Sequence, residues 1–264
     1  MPIMGILASA ISGNLTPTSP VAGYTAWFDA ADTATISLSG SDVTQWRDKS
    51  ANAYHLAQPS GGFRPQSGTR TINSLNVVDY NSNVDTLVAS TAANWTFLSN
   101  STGSTVFIMI SLDATPAGDS FQMLRTQGSN NQTVGYTGSI SAASPYNWQH
   151  VLVNGGDLFC FNRSTATISA TTPTIFVIKS DPNATPAADK SFIFKNSGTA
   201  DKNNTTTGTA SASAPQQPLR VGDYEEAGTF SPNGVYGEII FYNSKLSDGD
   251  IALNVSYLSN KWGI

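Results

Sequence analysis

Acidic side chains are the first candidates for chemistry, because two facing carboxylates can hydrolyse a glycosidic bond. Glutamate occurs only at Glu225, Glu226 and Glu238. Adjacent residues of a strand point to opposite faces, so Glu225 and Glu226 do not form such a pair, and we expect them in a solvated turn. Glu238 stands alone and is expected to accept a structural hydrogen bond. The chain is therefore predicted not to be an enzyme. A hydrolase that depends on Glu238 is the alternative.

Histidine and cysteine are too sparse for a nucleophilic or zinc site. The sequence holds His55, His150 and one cysteine, Cys160. Neither histidine lies near a Gly-x-Ser-x-Gly motif or beside Cys160, so no triad and no zinc site is predicted. We expect His55 to hydrogen-bond across a turn. A single cysteine forms no intrachain disulfide, and the apolar run around Cys160 predicts a buried thiol.

Aromatic side chains in polar, turn-rich segments are candidates for sugar binding. A sugar ring stacks on an aromatic face, while neighbouring amides and carboxylates bond its hydroxyl groups. Tyr146, Trp148 and Tyr224 lie in such segments. These three residues are the predicted ligand-binding residues, and core packing is the alternative for each of them.

Composition and charge argue against a nucleic-acid partner. Charged residues make up 12% of the 264 residues, and the net charge is -5 at pH 7. The 13 lysines and arginines do not cluster, so no basic surface for a phosphate backbone is predicted. Hydrophobic residues make up 39% of the chain, which predicts a folded protein rather than a disordered one.

The elements that must position these residues are short strands. Apolar or alternating runs of strand length are separated by Gly, Asn, Asp, Ser and Pro clusters, which is typical of all-β proteins. Two of the runs, 106–110 and 175–178, are apolar on both faces and are predicted to be central. The predicted strands are 24–28, 76–80, 105–112, 120–125, 132–136, 150–153, 158–161, 174–179, 191–195, 217–221 and 235–242.

One helix is predicted at the end of the chain, with Ser247 as its N-cap. Its apolar residues recur at helical spacing on one face, which is expected to pack on the sandwich. These residues are Ile251, Val255, Leu258 and Trp262. Residues 181–217, apart from the strand at 191–195, are predicted to form a long solvated loop.

The first 23 residues are predicted to be an N-terminal arm and linker, and residues 24–264 one domain. The arm begins with an apolar stretch at 1–13 that contains no lysine or arginine, and the first basic residue is Arg47. A secretory signal is therefore not predicted. A membrane span is not predicted either, because no segment approaches the roughly 20 apolar residues that it requires. We expect the arm to pack on a neighbouring subunit.

Motifs at both ends of the domain resemble concanavalin A-like (laminin G-like) domains. The opening segment resembles the family pattern W-x-D-A-x-D followed by W-x-D-K-S-G-N-x-x-H, with Ala51 where the family usually has glycine. The matching residues there are Trp27, Asp29, Asp32, Trp46, Asp48, Lys49, Ser50, Asn52 and His55. Segments 219–222, 236–248 and 257–263 are similar to the closing strands and the terminal Y-L-x-x-K-W-G. The start of the chain also resembles tailed-phage structural proteins.

The resemblance implies an all-β, concanavalin A-like jelly-roll sandwich with a short C-terminal helix and an extended N-terminal arm. Domains of this family can hold Ca²⁺ between loops, so Asp29, Asp32 and Asp48 are the candidate calcium ligands. Packing or turn roles are the alternative for all three. Trp27 and Trp46 are expected to pack in the core or at its rim.

Two functions follow as expectations. The first is a non-enzymatic phage virion structural protein, as a capsid decoration, fibre or tail-associated protein. It would assemble in the host cytoplasm, bind other virion proteins through the arm and form homo-oligomers, with trimers favoured. The alternative is a carbohydrate-binding, lectin-like module of a bacterial or phage surface protein, located outside the cell or at its surface. The two are compatible, since a virion protein can bind a host cell-surface glycan.

Overall fold

The computed structural model describes most of the predicted domain. The described residues are 17–100, 102–115, 121–126, 134–141, 147–154, 157–196, 200–201, 204–205, 213–222 and 231–264. Residues 1–16 of the predicted arm lie outside them. Val21, in the predicted linker, is held by the body of the protein, because its amide donates to Asn254 Oδ1 (2.9 Å) and its carbonyl accepts from Tyr242 Oη (2.7 Å).

Short strands dominate the described chain, and all their pairings are antiparallel. In chain order the strands are β1 (Ala26–Asp29), β2 (Ile36–Ser39), β3 (Asp42–Trp46), β4 (Leu56–Ala57), β5 (Gln66–Ile72), β6 (Leu75–Tyr80), β7 (Thr86–Ala89), β8 (Ser104–Leu112), β9 (Phe121–Arg125), β10 (Gly135–Ile140), β11 (Asn147–Asn154), β12 (Asp157–Thr167), β13 (Thr174–Ser180), β14 (Ser191–Lys195), β15 (Ala200–Asp201), β16 (Asn204–Thr205), β17 (Arg220–Gly222) and β18 (Gly234–Tyr242). One α-helix follows, α1 (Asp248–Trp262).

The strands form two sheets that pack face to face. The first, which we call the helix-covered sheet, runs β15-β14-β13-β8-β18, and β18 then pairs with both β1 and β6, with β5 beyond β6. The second sheet runs β16-β12-β11-β10-β9-β17-β7-β4-β3-β2. Among the described strands, one residue pair, Asp42 with Gln66, connects the sheets at one edge. The predicted all-β jelly-roll sandwich is confirmed.

Alternation along β8 explains how one sheet can be buried on both faces. Val106, Ile108 and Ile110 lie in the core between the sheets, whereas Phe107 and Met109 lie in a second core under α1. All five are at most 1% exposed. Burying each such side chain contributes about 1.5–3 kcal/mol. Because β8 lies between β13 and β18, the central position predicted for this run is confirmed.

Helix α1 covers the outer face of the helix-covered sheet, as predicted. Ser247 Oγ accepts a hydrogen bond from the amide of Asp250 (3.1 Å), which satisfies one of the free N–H groups of the first turn. The predicted apolar face lies in the second core, and its four residues are at most 7% exposed. Gly263 ends the helix in the left-handed conformation (φ 71°). No helix of the described ranges is long and apolar enough to cross a membrane.

Several strands were not predicted. These include the hairpin of β2 and β3 and strands β5 and β7. Strand β5 is almost entirely polar, whereas β2 and β7 contain apolar residues but are only four residues long. The predicted loop 181–217 contains two further short strands, β15 and β16, and the 3-10 turn Ala187–Asp189. Pairing with neighbours stabilises such segments, and this contribution is invisible in their own sequence.

Candidate functional site

The terminal motifs meet in a partly buried ion cluster. Lys49 Nζ, which follows β3, lies 3.0 Å from Asp29 Oδ2 and 2.9 Å from Asp32 Oδ2. Lys261 Nζ, in α1, lies 2.6 Å from Asp29 Oδ1 and 2.7 Å from Glu238 Oε2 in β18. The bond from Lys49 lowers the pKa of Asp32 below its ordinary value. The cluster joins the first strand, the closing strand and the helix.

Glu238 is the buried acceptor at the centre of this ion cluster. Its side chain is 0% exposed, and Oε1 accepts from Trp27 Nε1 (2.6 Å) and Tyr257 Oη (2.8 Å). Oε2 accepts from Trp262 Nε1 (3.1 Å) in addition to Lys261. Burial raises the pKa of Glu238, and the charge of Lys261 opposes that rise. The expected structural hydrogen bond of Glu238 is confirmed, with four donors rather than one.

Asp48 organises the turn that follows β3. Its carboxylate accepts from the amides of Trp27 (2.8 Å), Ser50 (2.8 Å) and Tyr54 (2.9 Å). His55 Nδ1 accepts from the amide of Asp48 (3.1 Å). Asp48 thus has the turn role given above as the alternative to calcium binding, and the predicted bond of His55 across a turn is confirmed.

The three candidate calcium ligands are thus already satisfied by protein donors. Asp29 and Asp32 face ammonium groups, and Asp48 faces backbone amides. Across the described part of the chain, no group of three or more His, Cys, Asp or Glu side chains is arranged to hold a metal. A calcium ion here would have to displace Lys49 or Lys261, and the arrangement therefore favours the packing and turn roles.

Trp148 lies in the core, and this placement corrects its predicted contact with a sugar. The ring is 0% exposed and stacks on Phe176 with centroids 3.4 Å apart. It has no free face for a ligand, because position 148 in β11 points between the sheets. The other two predicted ligand-binding residues, Tyr146 and Tyr224, lie outside the described residues.

A serine–histidine pair that the sequence did not reveal is enclosed in the same core. His150 Nδ1 lies 2.7 Å from Ser191 Oγ, and Asn162 Nδ2 donates to Ser191 Oγ (3.1 Å). All three side chains are 0% exposed. Burial lowers the pKa of His150 to about 3, which keeps the imidazole neutral. A substrate has no access to this pair, although His150 Nε2 and Asn162 Oδ1 are buried without a hydrogen-bond partner.

The outer face of the second sheet carries a band of hydrogen-bonding side chains, which we call the polar band. On β17, β9 and β11, the residues next to the band in sequence point into the core, as Val221, Leu124 and Trp148 do. The band itself therefore points away from the helix-covered sheet. Its exposed member is Arg163 and Arg220 is half-buried, whereas the other five side chains are only 3–8% exposed. Its members are Gln122 and Arg125 on β9, Thr137 and Ser139 on β10, Gln149 on β11, Arg163 on β12 and Arg220 on β17.

Strand register brings the band into two rows. One row passes from Gln122 through Ser139 and Gln149 to Arg163, each residue opposite the next. The other passes from Arg220 through Arg125 to Thr137. None of these residues was expected at a site from the sequence, although polar side chains interleaved within apolar strands were a usable signal.

At one end of the band, a glutamine and an arginine are locked together. The Gln149 side-chain oxygen accepts from Arg163 Nε (3.2 Å) and Nη2 (2.9 Å), and the other end of the amide lies 3.5 Å from Ser139 Oγ. The Arg163 guanidinium carbon lies 5.5 Å from the centroid of the Phe161 ring. Arg163 is exposed and Phe161 half-buried, so donors and an aromatic ring face solvent together.

A second concave region lies between residues 181–190 and the start of α1. It is an open pocket of about 690 Å³. Its charged groups neutralise one another, since Lys179 pairs with Asp248 (2.9 Å) and Lys245 with Asp181 (2.5 Å). We therefore regard the polar band as the better candidate site.

Comparison with known proteins identifies the fold. No protein-family model and no curated protein matches the chain. Three similar solved structures are a sialidase of Trypanosoma rangeli in complex with sialic acid, the CBM40 module of the Ruminococcus gnavus IT-sialidase bound to alpha2,3 sialyllactose, and domain 4 of AbnA, an extracellular arabinanase of Geobacillus stearothermophilus, in complex with arabinotriose.

The similarity to these structures is one of shape. The sialidase is 14% identical with a TM-score of 0.59 over 92% of this chain, which spans only 34% of the sialidase. The CBM40 module is 14% identical with a TM-score of 0.51, and the match covers 68% of this chain and 96% of the module. The arabinanase domain is 10% identical with a TM-score of 0.58, and the match covers 89% of this chain and 98% of that domain. The chain therefore has the β-sandwich fold that also occurs in these glycosidase-associated domains.

Proposed function

We propose that this chain is a non-enzymatic glycan-binding module that binds sugars on the polar band of the second sheet. The observation that carries the proposal is a row of amide, hydroxyl and guanidinium groups across neighbouring strands that ends at the exposed Arg163 and the half-buried Phe161, on a face that no described helix covers. This exposed end is where a sugar would bind. Such groups can bond sugar hydroxyls, and the half-buried Phe161 adds an apolar surface. The similar structures with bound sialic acid, sialyllactose and arabinotriose support this choice of ligand class.

A glycan array with the full chain tests the proposal, followed by titration calorimetry with the best ligand. We expect Gln149→Ala to weaken binding roughly tenfold, because it removes one hydrogen-bonding group and releases Arg163. Gln45→Ala is the matched control, since Gln45 lies in β3, distant from β11 in the sheet order. Binding that both variants retain in full would place the ligand elsewhere, and an array without hits would reject the proposal.

We also propose that the chain does not cleave the glycan that it binds. All four donors of Glu238 stabilise the fold, and its side chain is fully buried. The bound glycan should therefore be recovered intact after long incubation. Release of new reducing ends that Glu238→Gln abolishes, while the variant stays folded, would instead identify a hydrolase.

A second candidate function is a tailed-phage virion structural protein, favoured by the uncharged apolar stretch at residues 3–13. We propose that this stretch docks on other virion proteins and that the protein assembles, as a trimer, in the host cytoplasm. Light scattering on the full chain tests the oligomer. Ile6→Asp with Leu7→Asp should dissociate it, and an unchanged mass would reject the role of the arm.

A further inference from the structure

We infer that Arg163 selects glycans that carry an anionic group, carboxylate or sulfate, at the exposed end of the polar band; this rests on the proposed function. Arg163 is exposed on β12, whereas its sequence neighbours Asn162 and Ser164 are at most 2% exposed. The Arg163 side chain therefore projects from the outer face of the second sheet, where a glycan can reach it.

Arg163 carries a charge that no described carboxylate neutralises. Its guanidinium contacts the side-chain oxygen of Gln149 and the ring of Phe161, and both of these groups are neutral. Arg163 takes part in none of the ion pairs between described residues. The positive charge at this end of the band is therefore open to an anion of the ligand.

One edge of the Arg163 guanidinium is left for that anion. Nε and Nη2 donate to the Gln149 oxygen (3.2 Å and 2.9 Å), whereas Nη1 has no acceptor among the described residues. The edge formed by Nη1 and Nη2 presents two parallel N–H groups, which match the oxygens of a carboxylate or a sulfate. Because Gln149 already orients the side chain, binding costs less conformational entropy than at a free arginine.

An apolar pair lies directly beside this polar pair. Gln149 stands opposite Arg163, and two residues away on the same strands Val151 stands opposite Phe161. Val151 and Phe161 are both half-buried. Two residues of a strand span about 7 Å, so one sugar can rest its apolar face on the second pair while its acidic substituent reaches Arg163. The patch thus suits an acidic sugar better than a free anion.

A carboxylate on the other side of Arg163 limits where the anion can lie. Asp201 Oδ2 accepts from the hydroxyl of Thr165 (2.8 Å), the second residue after Arg163 on β12. An anion placed next to Asp201 would be repelled. We therefore expect the acidic group of the ligand between Arg163 and Phe161, away from Asp201.

A matched series of glycans tests the preference. Titration calorimetry of the full chain with lactose, 3′-sialyllactose and 3′-sulfolactose, and with each acidic hit of the array beside its neutral counterpart, compares ligands that share a neutral core. We expect the acidic ligand of each pair to bind at least tenfold more tightly, and this advantage to shrink as salt is raised. A preference for either the sialyl or the sulfo ligand supports the inference and identifies the anion.

Substitutions of Arg163 separate its selection of the anion from other roles. Arg163→Gln should weaken acidic ligands tenfold or more and neutral ones by a smaller factor, so that the preference disappears. Arg163→Lys keeps the charge without the fork of donors and should retain only part of the preference. The Tm should stay the same in both variants, because the side chain is exposed.

Arg47→Gln is the matched control for these substitutions. Arg47 is also exposed, but it donates to Ala34 and Ser37 near the β2–β3 hairpin, and its loss should leave the preference unchanged. Hits confined to neutral glycans, or an acidic preference that survives Arg163→Gln, would overturn the inference while leaving glycan binding intact. An array without hits would instead reject the proposed function, and the inference with it.

Discussion

Lys261 and Asp29 form an ion pair of 2.6 Å although 232 positions separate them in the sequence. The pair connects α1 to β1, and Lys261 also bonds Glu238 in β18, which lies beside β1 in the helix-covered sheet. The most recognisable motifs of the chain therefore meet in the fold and serve its assembly.

Lys261→Met should destabilise the protein by about 3 kcal/mol, because it leaves the buried Glu238 carboxylate without its cation and removes one of the two cations that face Asp29. Urea unfolding followed by tryptophan fluorescence measures the change. Lys245→Met is the control, since Lys245 is 54% exposed in its pair with Asp181, and its loss should cost about 1 kcal/mol or less. Equal effects of the two substitutions would mean that the cluster contributes no more than a surface ion pair.

Gly237→Ala should destabilise the contact between β18 and α1. A Cβ atom at this position would lie 2.5 Å from Met109 Sδ and 2.8 Å from Trp262 Cζ2. Overpacking of this kind costs about 1–3 kcal/mol. At Gly62 a Cβ atom would meet nothing within 4 Å, so Gly62→Ala is the matched control. Thermal unfolding should show a lower Tm only for the first variant, and similar Tm values would show that α1 can move away without cost.

The buried Asp85 should make stability depend on pH. Burial raises its pKa from 3.8 to about 7, so the native state keeps a proton that the unfolded state loses in this interval. The stabilisation is present below pH 3.8 and is lost as the pH rises through about 7. Asp85→Asn, which imitates the protonated form, should therefore increase stability by about 1–2 kcal/mol near pH 8 and leave it unchanged near pH 4.

Urea unfolding at both pH values checks the prediction for Asp85. Asp248→Asn is the control, because the Asp248 side chain is 79% exposed. A stability difference between wild type and Asp85→Asn that is the same at both pH values would show that Asp85 titrates normally.

Calcium should leave the described body of the protein unaffected. Lys49 and Lys261 already neutralise Asp29, while Asp48 is engaged by amides. A ligand that binds only the native state raises the Tm in proportion to its binding free energy. We expect the same Tm in EDTA and in millimolar calcium. A rise of several degrees with calcium, absent with magnesium, would restore the calcium site implied by the family resemblance.

Local patterns in the sequence were sufficient for the class of fold and for several details. The runs 106–110 in β8 and 175–178 in β13 are apolar at every position, as expected for central strands of a sandwich. The helix carries its own cap at Ser247. The turn at Asp48 also depends on bonds to residues nearby in sequence. Because each of these signals is local, the sequence alone determined the central strands, the helix cap and the turn.

Only the tertiary structure decided which side chains share a face. Strict alternation along β9 would place Gln122 with Leu124 and Met123 with Arg125. A bulge opposite Gly138 and Ser139 instead turns both Met123 and Leu124 into the core. Gln122 and Arg125 thereby point outward together. Strand pairing also placed Trp148 in the core, although the sequence had suggested it as a sugar-binding residue.

The ion cluster and the polar band have the same physical origin. Asp29, Lys49, Glu238 and Lys261 are far apart in the chain, and strand pairing and helix docking bring them together. The pairing of Arg125 with Arg220 likewise depends on β17 lying beside β9. The sequence by itself determined that this chain builds an all-β sandwich closed by a helix. Register, which is set by contacts between distant strands, decided where its charges meet and which polar side chains share the outer face.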